Sequence, residues 1–114
     1  MSDISKLLIK NLQTKNIKDQ LTSFILLIEM NIEFDQNLFN DCVKLGLNSE
    51  YWDVRLKTVK LISKIKDQKV FIDCVKIGMN DDDWDVRFES AKLISKIDDK
   101  KIQLECIKLA TQEY

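Results

Sequence analysis

Trp52-Asp53-Val54-Arg55 recurs 32 residues later as Trp84-Asp85-Val86-Arg87, and the run Lys-Leu-Ile-Ser-Lys-Ile follows each copy, at residues 60–65 and 92–97. At that offset residues 41–72 and 73–104 are identical at 18 of 32 positions. Self-similarity at such a period marks a repeat protein, whose units cannot bury their apolar faces alone and must stack on one another. Residues common to the units therefore report stacking, and function is to be sought where the units differ.

Outward from the tetrapeptide, Val54, Thr58, Leu61, Ile62 and Ile65 form an apolar stripe at helical spacing, repeated as Val86, Ser90, Leu93, Ile94 and Ile97. Each of these second helices is preceded by a first helix. One spans roughly 36–47 with Leu38, Cys42 and Leu45 on one face, and the next carries Val70, Cys74 and Ile77 in the same places. Gly46 with Asn48, and Gly78 with Asn80, read as C-terminal stops. Ser49 and Asp81 read as the N-terminal caps of the second helices.

Upstream, residues 3–12 read as a helix with Ile4, Leu7, Leu8 and Leu12 on one face, and Thr14 can cap the helix that follows. Aligned at an offset of 37, Asn16-Ile17-Lys18 falls on Asp53-Val54-Arg55, and Leu21, Phe24, Ile25 and Ile28 fall on the buried stripe. This gives a divergent first unit with a longer loop at Asn31-Ile32-Glu33-Phe34-Asp35. Downstream, residues 100–112 begin a fourth unit that reads as a capping helix. The expected organisation is all-α, one domain over residues 1–114, with repeats at about 3–35, 36–67 and 68–99 and a cap at 100–114.

The composition removes whole classes of chemistry. The 114 residues contain no His and no Pro, only two Gly, and a net charge of −1. Without His there is no Ser-His-Asp or Cys-His pair and no His-ligated metal. Two Gly leave no material for a phosphate-cradling loop. Cys42, Cys74 and Cys106 are 32 residues apart, one per unit. Equivalent stacked helices lie about 8–10 Å apart, too far for a disulfide, so the three thiols read as small core hydrophobes. Asp81, Asp82, Asp83 and Asp85 read as helix-start charges rather than a Ca²⁺ loop. Neither a cofactor nor a metal is expected. The N-terminus lacks a basic and apolar leader, and no run reaches the roughly 18 apolar residues of a span, so a cytoplasmic location is expected.

The Asp near the start of a second helix, followed by Val-Arg and an apolar stripe, resembles the HEAT-repeat family in its short, armadillo-like form. The 32-residue period is shorter than the roughly 40–47 of typical HEAT units, and the helix-start proline is absent. The resemblance implies a short right-handed α-solenoid of about three helix pairs. It implies that Asp53, Arg55, Asp85 and Arg87 pair along the stack, with Asn16 and Lys18 as first-unit counterparts. Trp52 and Trp84 would wedge between helices, so that Trp84→Ala would cost roughly 3–5 kcal/mol.

By the same resemblance the chain is a non-catalytic protein-binding module, an adaptor or a stoichiometric inhibitor such as a toxin-neutralising immunity protein. It would bind through the concave face of the second helices. There Lys57, Lys60, Lys64, Lys92 and Lys96 form a ridge, and residues 41–72 carry a local charge of +3. Leu26, Leu27 and Phe34 extend this surface. Leu26 and Leu27 fall on the outward positions of Ser63 and Lys64, and either the loop with Ile32 and Phe34 folds over them or they stay open as an apolar anchor. The implied partner is an acidic protein with a hydrophobic side chain to insert, or a second copy of the chain. The second reading is nucleic-acid or polyanion binding by the same lysines, against which stand Glu89 within the ridge and the lack of aromatic residues among them. An enzyme is the third class. HEAT-like bilin lyases and a di-iron hydroxylase exist, but the latter needs His-containing motifs that this chain does not have.

Overall fold

Backbone N–H groups left unpaired at a helix start need acceptors, and short polar side chains supply most of them here. The computed structural model describes residues 3–29 and 36–111, which form α1 (Asp3–Gln13), α2 (Ile17–Glu29), α3 (Gln36–Leu47), α4 (Trp52–Val59), α5 (Gln68–Met79), α6 (Trp84–Ala91) and α7 (Lys100–Thr111). No strand occurs among the described residues. Asn16 Oδ1 accepts from the amides of Lys18 and Asp19 at the start of α2. Asp67 accepts from Val70 N, Asp83 from Val86 N, and Asp99 from Lys101 N and Ile102 N.

The second helices begin later than expected. α4 and α6 start at the tryptophans, and Ser49 and Asp81 do not cap them. Ser49 Oγ accepts from Tyr51 N at 3.1 Å and Asp81 Oδ1 from Asp83 N at 2.8 Å, each bond closing the turn before the helix. Short polar side chains bond backbone two residues on in this way, in competition with a helical cap. The second helices are also shorter than their stripes. After Val59 and Ala91 the chain tightens into 3₁₀ turns at Ile62–Lys64 and Ile94–Lys96, with Leu61 N bonded to Thr58 O and Leu93 N to Ser90 O. Leu61, Ile62 and Ile65 remain buried through the change, as do Ile94 and Ile97.

The helices pack in two rows. Each odd-numbered helix packs on the even-numbered one that follows it, α1, α3, α5 and α7 pack in succession, and α2, α4 and α6 do the same. Val54, Thr58 and Ile62 from α4 and its 3₁₀ turn, with Val86 and Ser90 from α6, meet Cys42, Val43, Cys74 and Val75 of the odd row in one buried cluster.

The two glycines act here rather than as stops. Gly46 and Gly78 lie inside α3 and α5. A Cβ on Gly46 would overlap Thr58 Oγ1 and Phe24 Cζ, and one on Gly78 would overlap Ser90 Oγ and come within 2.9 Å of Ser90 Cβ. Glycine is present because the neighbouring helix approaches this closely. The hydroxyls that fill the space are fully buried, and Thr58 donates to Val54 O at 2.7 Å and Ser90 to Val86 O at 2.8 Å.

Polar links join successive units. Arg55 Nη1 donates to Ser49 O and Arg87 Nη1 to Asp81 O, each six residues back. Gln20 Nε2 donates to Thr14 O over the same interval. The same side chains reach forward: Gln20 Oε1 accepts from Ser49 Oγ at 2.6 Å, and Arg55 donates to Asp81 at 2.8 Å and to Asp82 at 3.2 Å. In these bonds the first-unit counterpart of Arg55 is therefore Gln20 rather than Lys18, and Arg55 pairs with Asp81 and Asp82 rather than with Asp85. Aligned on Gln20 and Arg55 the offset is 35, which also matches the helix starts at Ile17 and Trp52 and sets buried Ser23 on Thr58.

The close approach is testable. Gly78→Ala is expected to cost about 1–3 kcal/mol through overpacking, despite the better helix propensity of Ala, and adding Ser90→Gly is expected to restore part of the loss. Urea unfolding of the single and double variants measures both.

Candidate functional site

A residue two positions from a buried one on an α-helix points about 200° away from it. In α6 the buried residues are Val86 and Ser90, so Trp84 faces outward. It is 65% exposed, and Trp52 of α4 is 47% exposed. Neither indole is wedged between helices, which corrects the expectation from the resemblance. The Trp84 ring instead stacks on Phe88, with centroids 5.3 Å apart and planes at 12°. Phe88 is itself half exposed, and Lys92 Nζ sits 4.9 Å from the centre of its ring. Offset stacking and cation–π attraction each contribute about 0.5–1.5 kcal/mol in such settings.

The five lysines Lys57, Lys60, Lys64, Lys92 and Lys96 are all exposed. Lys92 also reaches Glu89 at 3.2 Å, a pair within one helix turn and open to solvent, which contributes little to stability. The absence of aromatics among the lysines does not hold in three dimensions: Phe88 lies one turn before Lys92 and Trp84 one turn before Phe88. Phe88 was the residue missed. Its signal was the replacement of Leu56 by an aromatic at a position where the earlier unit packs against the core.

Of the two first-unit leucines that the loop either covers or leaves open, only Leu26 has its side chain among the described residues. Leu26 is half buried and packs against the core, whereas Ile25 is 53% exposed. At the offset of 35, Leu26 corresponds to buried Leu61, and Ile25 corresponds to Lys60, an outward position. The side chain of Leu27, and Ile32 and Phe34 with their loop, lie outside the described residues.

Cys42, Cys74 and Cys106 are free and buried. Burial pushes the thiols of Cys42 and Cys74 up to about 11, with Asp41 adding to the rise at Cys42; at Cys74, Lys44 opposes the rise and Asp73 adds to it. Burial also raises Cys106, against the pull of Lys76. These thiols stay protonated at neutral pH, so they lack the thiolate that nucleophilic chemistry requires. Among the described residues no group of three His, Cys, Asp or Glu side chains could hold a metal ion. No helix among them is long and apolar enough to cross a membrane. No protein-family model, curated protein or solved structure matches this chain.

Two expected outcomes follow from the exposures and the thiols. Trp84→Ala is expected to cost about 1 kcal/mol, the magnitude of a surface aromatic contact, and not the 3–5 kcal/mol of a core aromatic; thermal melts of the variant decide between them. An unfolded thiol ionises near its ordinary value of 9.0 while the folded Cys42 and Cys74 hold their protons to about 11. The unfolded state then binds fewer protons in that window, so stability falls as pH rises from about 9 to about 11. Urea midpoints at the two ends of the window should show a smaller fall in a Cys42→Ala/Cys74→Ala variant than in the parent chain.

Proposed function

We propose that the chain is a short α-solenoid of the HEAT-like kind that acts as a non-catalytic protein-binding module, an adaptor or a stoichiometric inhibitor of the immunity-protein type, in the cytoplasm. The succession of odd-numbered and even-numbered helices in two rows supports the solenoid reading. The binding reading is carried by one observation: Trp84 and Phe88 stack on each other in the open, with Lys92 over the second ring. A surface Trp beside a second aromatic and exposed cations has the chemistry of an interface hot spot. Lys57, Lys60, Lys64 and Lys96 add positive charge, which steers an acidic protein toward this face. Ile25, 53% exposed, adds an apolar anchor in the first unit beside half-buried Leu26.

The same observation favours a second reading, single-stranded nucleic acid, because an aromatic face beside lysines is what base stacking and phosphate contact use. The net charge of −1 and the engagement of Lys92 by Glu89 rank it below a protein partner.

Affinity capture from the native cell, with identification of bound protein by mass spectrometry, tests the leading reading. A stoichiometric acidic partner is expected, retained poorly by a Lys57→Glu/Lys60→Glu/Lys64→Glu variant whose melting temperature is unchanged. Submicromolar anisotropy binding to a single-stranded oligonucleotide, with a steep logarithmic salt dependence and no captured protein, would reverse the ranking.

A further inference from the structure

Positions on α4 that face the next unit are covered by α6, but the same positions on α6 have no helix over them among the described residues. Val59 is buried whereas its counterpart Ala91 is exposed, and Leu56 packs against the core whereas Phe88 is half exposed. The odd row shows the same change. Val43 and Val75 are fully buried, yet Ile107 in the same position of α7 is 47% exposed, and Leu104 beside it is open as well.

Between α6 and α7 lies a groove of about 550 Å³, lined by Met79, Ala91, Ile94, Ser95, Gln103, Ile107 and Thr111. One unit earlier the counterparts of the lining, Leu47, Val59, Ile62, Phe71, Val75 and Met79, are buried and only Ser63, the counterpart of Ser95, is exposed, where α6 packs on α4 and α5. The groove's three polar side chains are engaged: Gln103 Nε2 donates to Ile97 O at 2.6 Å and to Ile94 O at 3.3 Å, Thr111 Oγ1 to Ile107 O at 3.2 Å and Ser95 Oγ to Lys92 O at 3.5 Å. The groove therefore has the form of a seat for a helix, with a mostly apolar lining whose polar groups are satisfied.

The rim is basic. Lys92 and Lys96 flank it on the α6 side, and Lys100 and Lys108 lie beside the lining residues of α7; all four are exposed. Of the nearby carboxylates, Glu89 is paired with Lys92, Glu105 with Lys76, and Asp99 accepts from the first amides of α7; Asp98 is exposed between Lys96 and Lys100, and with Lys96, Lys100 and Lys108 against it the rim keeps a net positive charge.

We propose that this groove docks an amphipathic α-helix of an acidic partner protein, seated on α6 and α7 as α6 is seated on α4 and α5. The inference rests on the protein-binding reading and adds the seat and the class of partner. The buried stripes of the seated helices define what the incoming helix carries. They read Val54, Thr58, Ile62 and Val86, Ser90, Ile94: an aliphatic residue, a small hydroxyl and an aliphatic residue at four-residue intervals. The small residue is set by close approach to Gly46 and Gly78, whose place in the α7 sequence is taken by Ala110, the next smallest residue. Opposite four lysines, the flanking positions of the incoming helix are acidic, which gives orientation and specificity.

The test uses the full chain and a synthetic amphipathic peptide with Val, Ser and Ile at four-residue intervals and Glu at the flanking positions. The expected result is saturable binding, read by the fluorescence anisotropy of a dye-labelled peptide. It should weaken at least about tenfold when Lys replaces Glu in the peptide, and at least about tenfold in Ile107→Asp and Ala91→Glu. Both substitutions fall at exposed positions, and melting temperatures within a few degrees of the parent chain confirm folding. Absence of binding, or equal binding by both variants, overturns the proposal. So does a concentration-dependent dimer that Ile107→Asp abolishes without any peptide binding, which would make the occupant a second copy. Native capture separates the two levels of the argument. A partner lost with the Lys57/Lys60/Lys64 variant but kept by both groove variants leaves the protein-binding reading standing and removes the groove. Peptide binding in the groove with no protein captured from the cell does the reverse.

Discussion

The junctions between successive units each depend on one side chain that bonds in two directions, Gln20 at the first and Arg55 at the second. Gln20, Arg55 and Arg87 each hold the carbonyl six residues before them, which pins the turn to the helix it precedes. Gln20 and Arg55 then reach forward to the same place in the next unit, Ser49 in one case and Asp81 in the other. A bond from the helix of one unit to the turn of the next fixes their separation and tilt together. The junctions differ in chemistry, neutral amide with hydroxyl at the first and guanidinium with carboxylate at the second. At the second, Arg55 and Asp81 are 14% and 7% exposed, so the pair is desolvated and its loss on one side leaves a buried charge uncompensated.

That geometry brings α4 and α6 against glycines in α3 and α5, closely enough that no Cβ fits. The approach in turn buries the hydroxyls of Thr58 and Ser90, which satisfy themselves within their own helices. With Val54 and Val86 also turned inward, the residues two positions earlier are turned out. The exposed tryptophans follow from the burial of the valines, and the aromatic and lysine surface of α6 is the outer side of the same helix whose inner side makes the stack. Exposed aromatic and lysine side chains and packing side chains are thus separated on opposite faces of one short element.

Periodicity carried much of the helical reading. The stripe from Val54 to Ile65, the span 36–47 and the burial of the three cysteines were legible because each depends on spacing alone. Side-chain direction at helix ends was not. Trp52 and Trp84 recur in the second and third units as stacking residues do, yet recurrence does not distinguish a wedge from an exposed ring fixed by helix phase. The offset of 37 matched Asn16-Ile17-Lys18 to Asp53-Val54-Arg55 by residue type. The helix starts and the bonds of Gln20 set it at 35, and those two residues exchanged Ile25 with Leu26 between surface and core. The glycines were read as stops because Gly ends helices often, and nothing local in the sequence says that a neighbouring Thr or Ser occupies the space of their Cβ. Phe88 was hidden by its neighbours' repetition, although it departs from Leu56.

The central claim is that Gln20 with Ser49 and Arg55 with Asp81 are the same link in two chemistries. A double-mutant cycle on Arg55→Gln and Asp81→Ser, which installs the first junction's pair at the second, measures it directly by urea unfolding. Each single substitution is expected to cost about 3 kcal/mol or more, and the double variant less than the two together, with a coupling of at least about 1.5 kcal/mol. Additivity within about 0.5 kcal/mol would contradict the claim and leave the units held by packing alone.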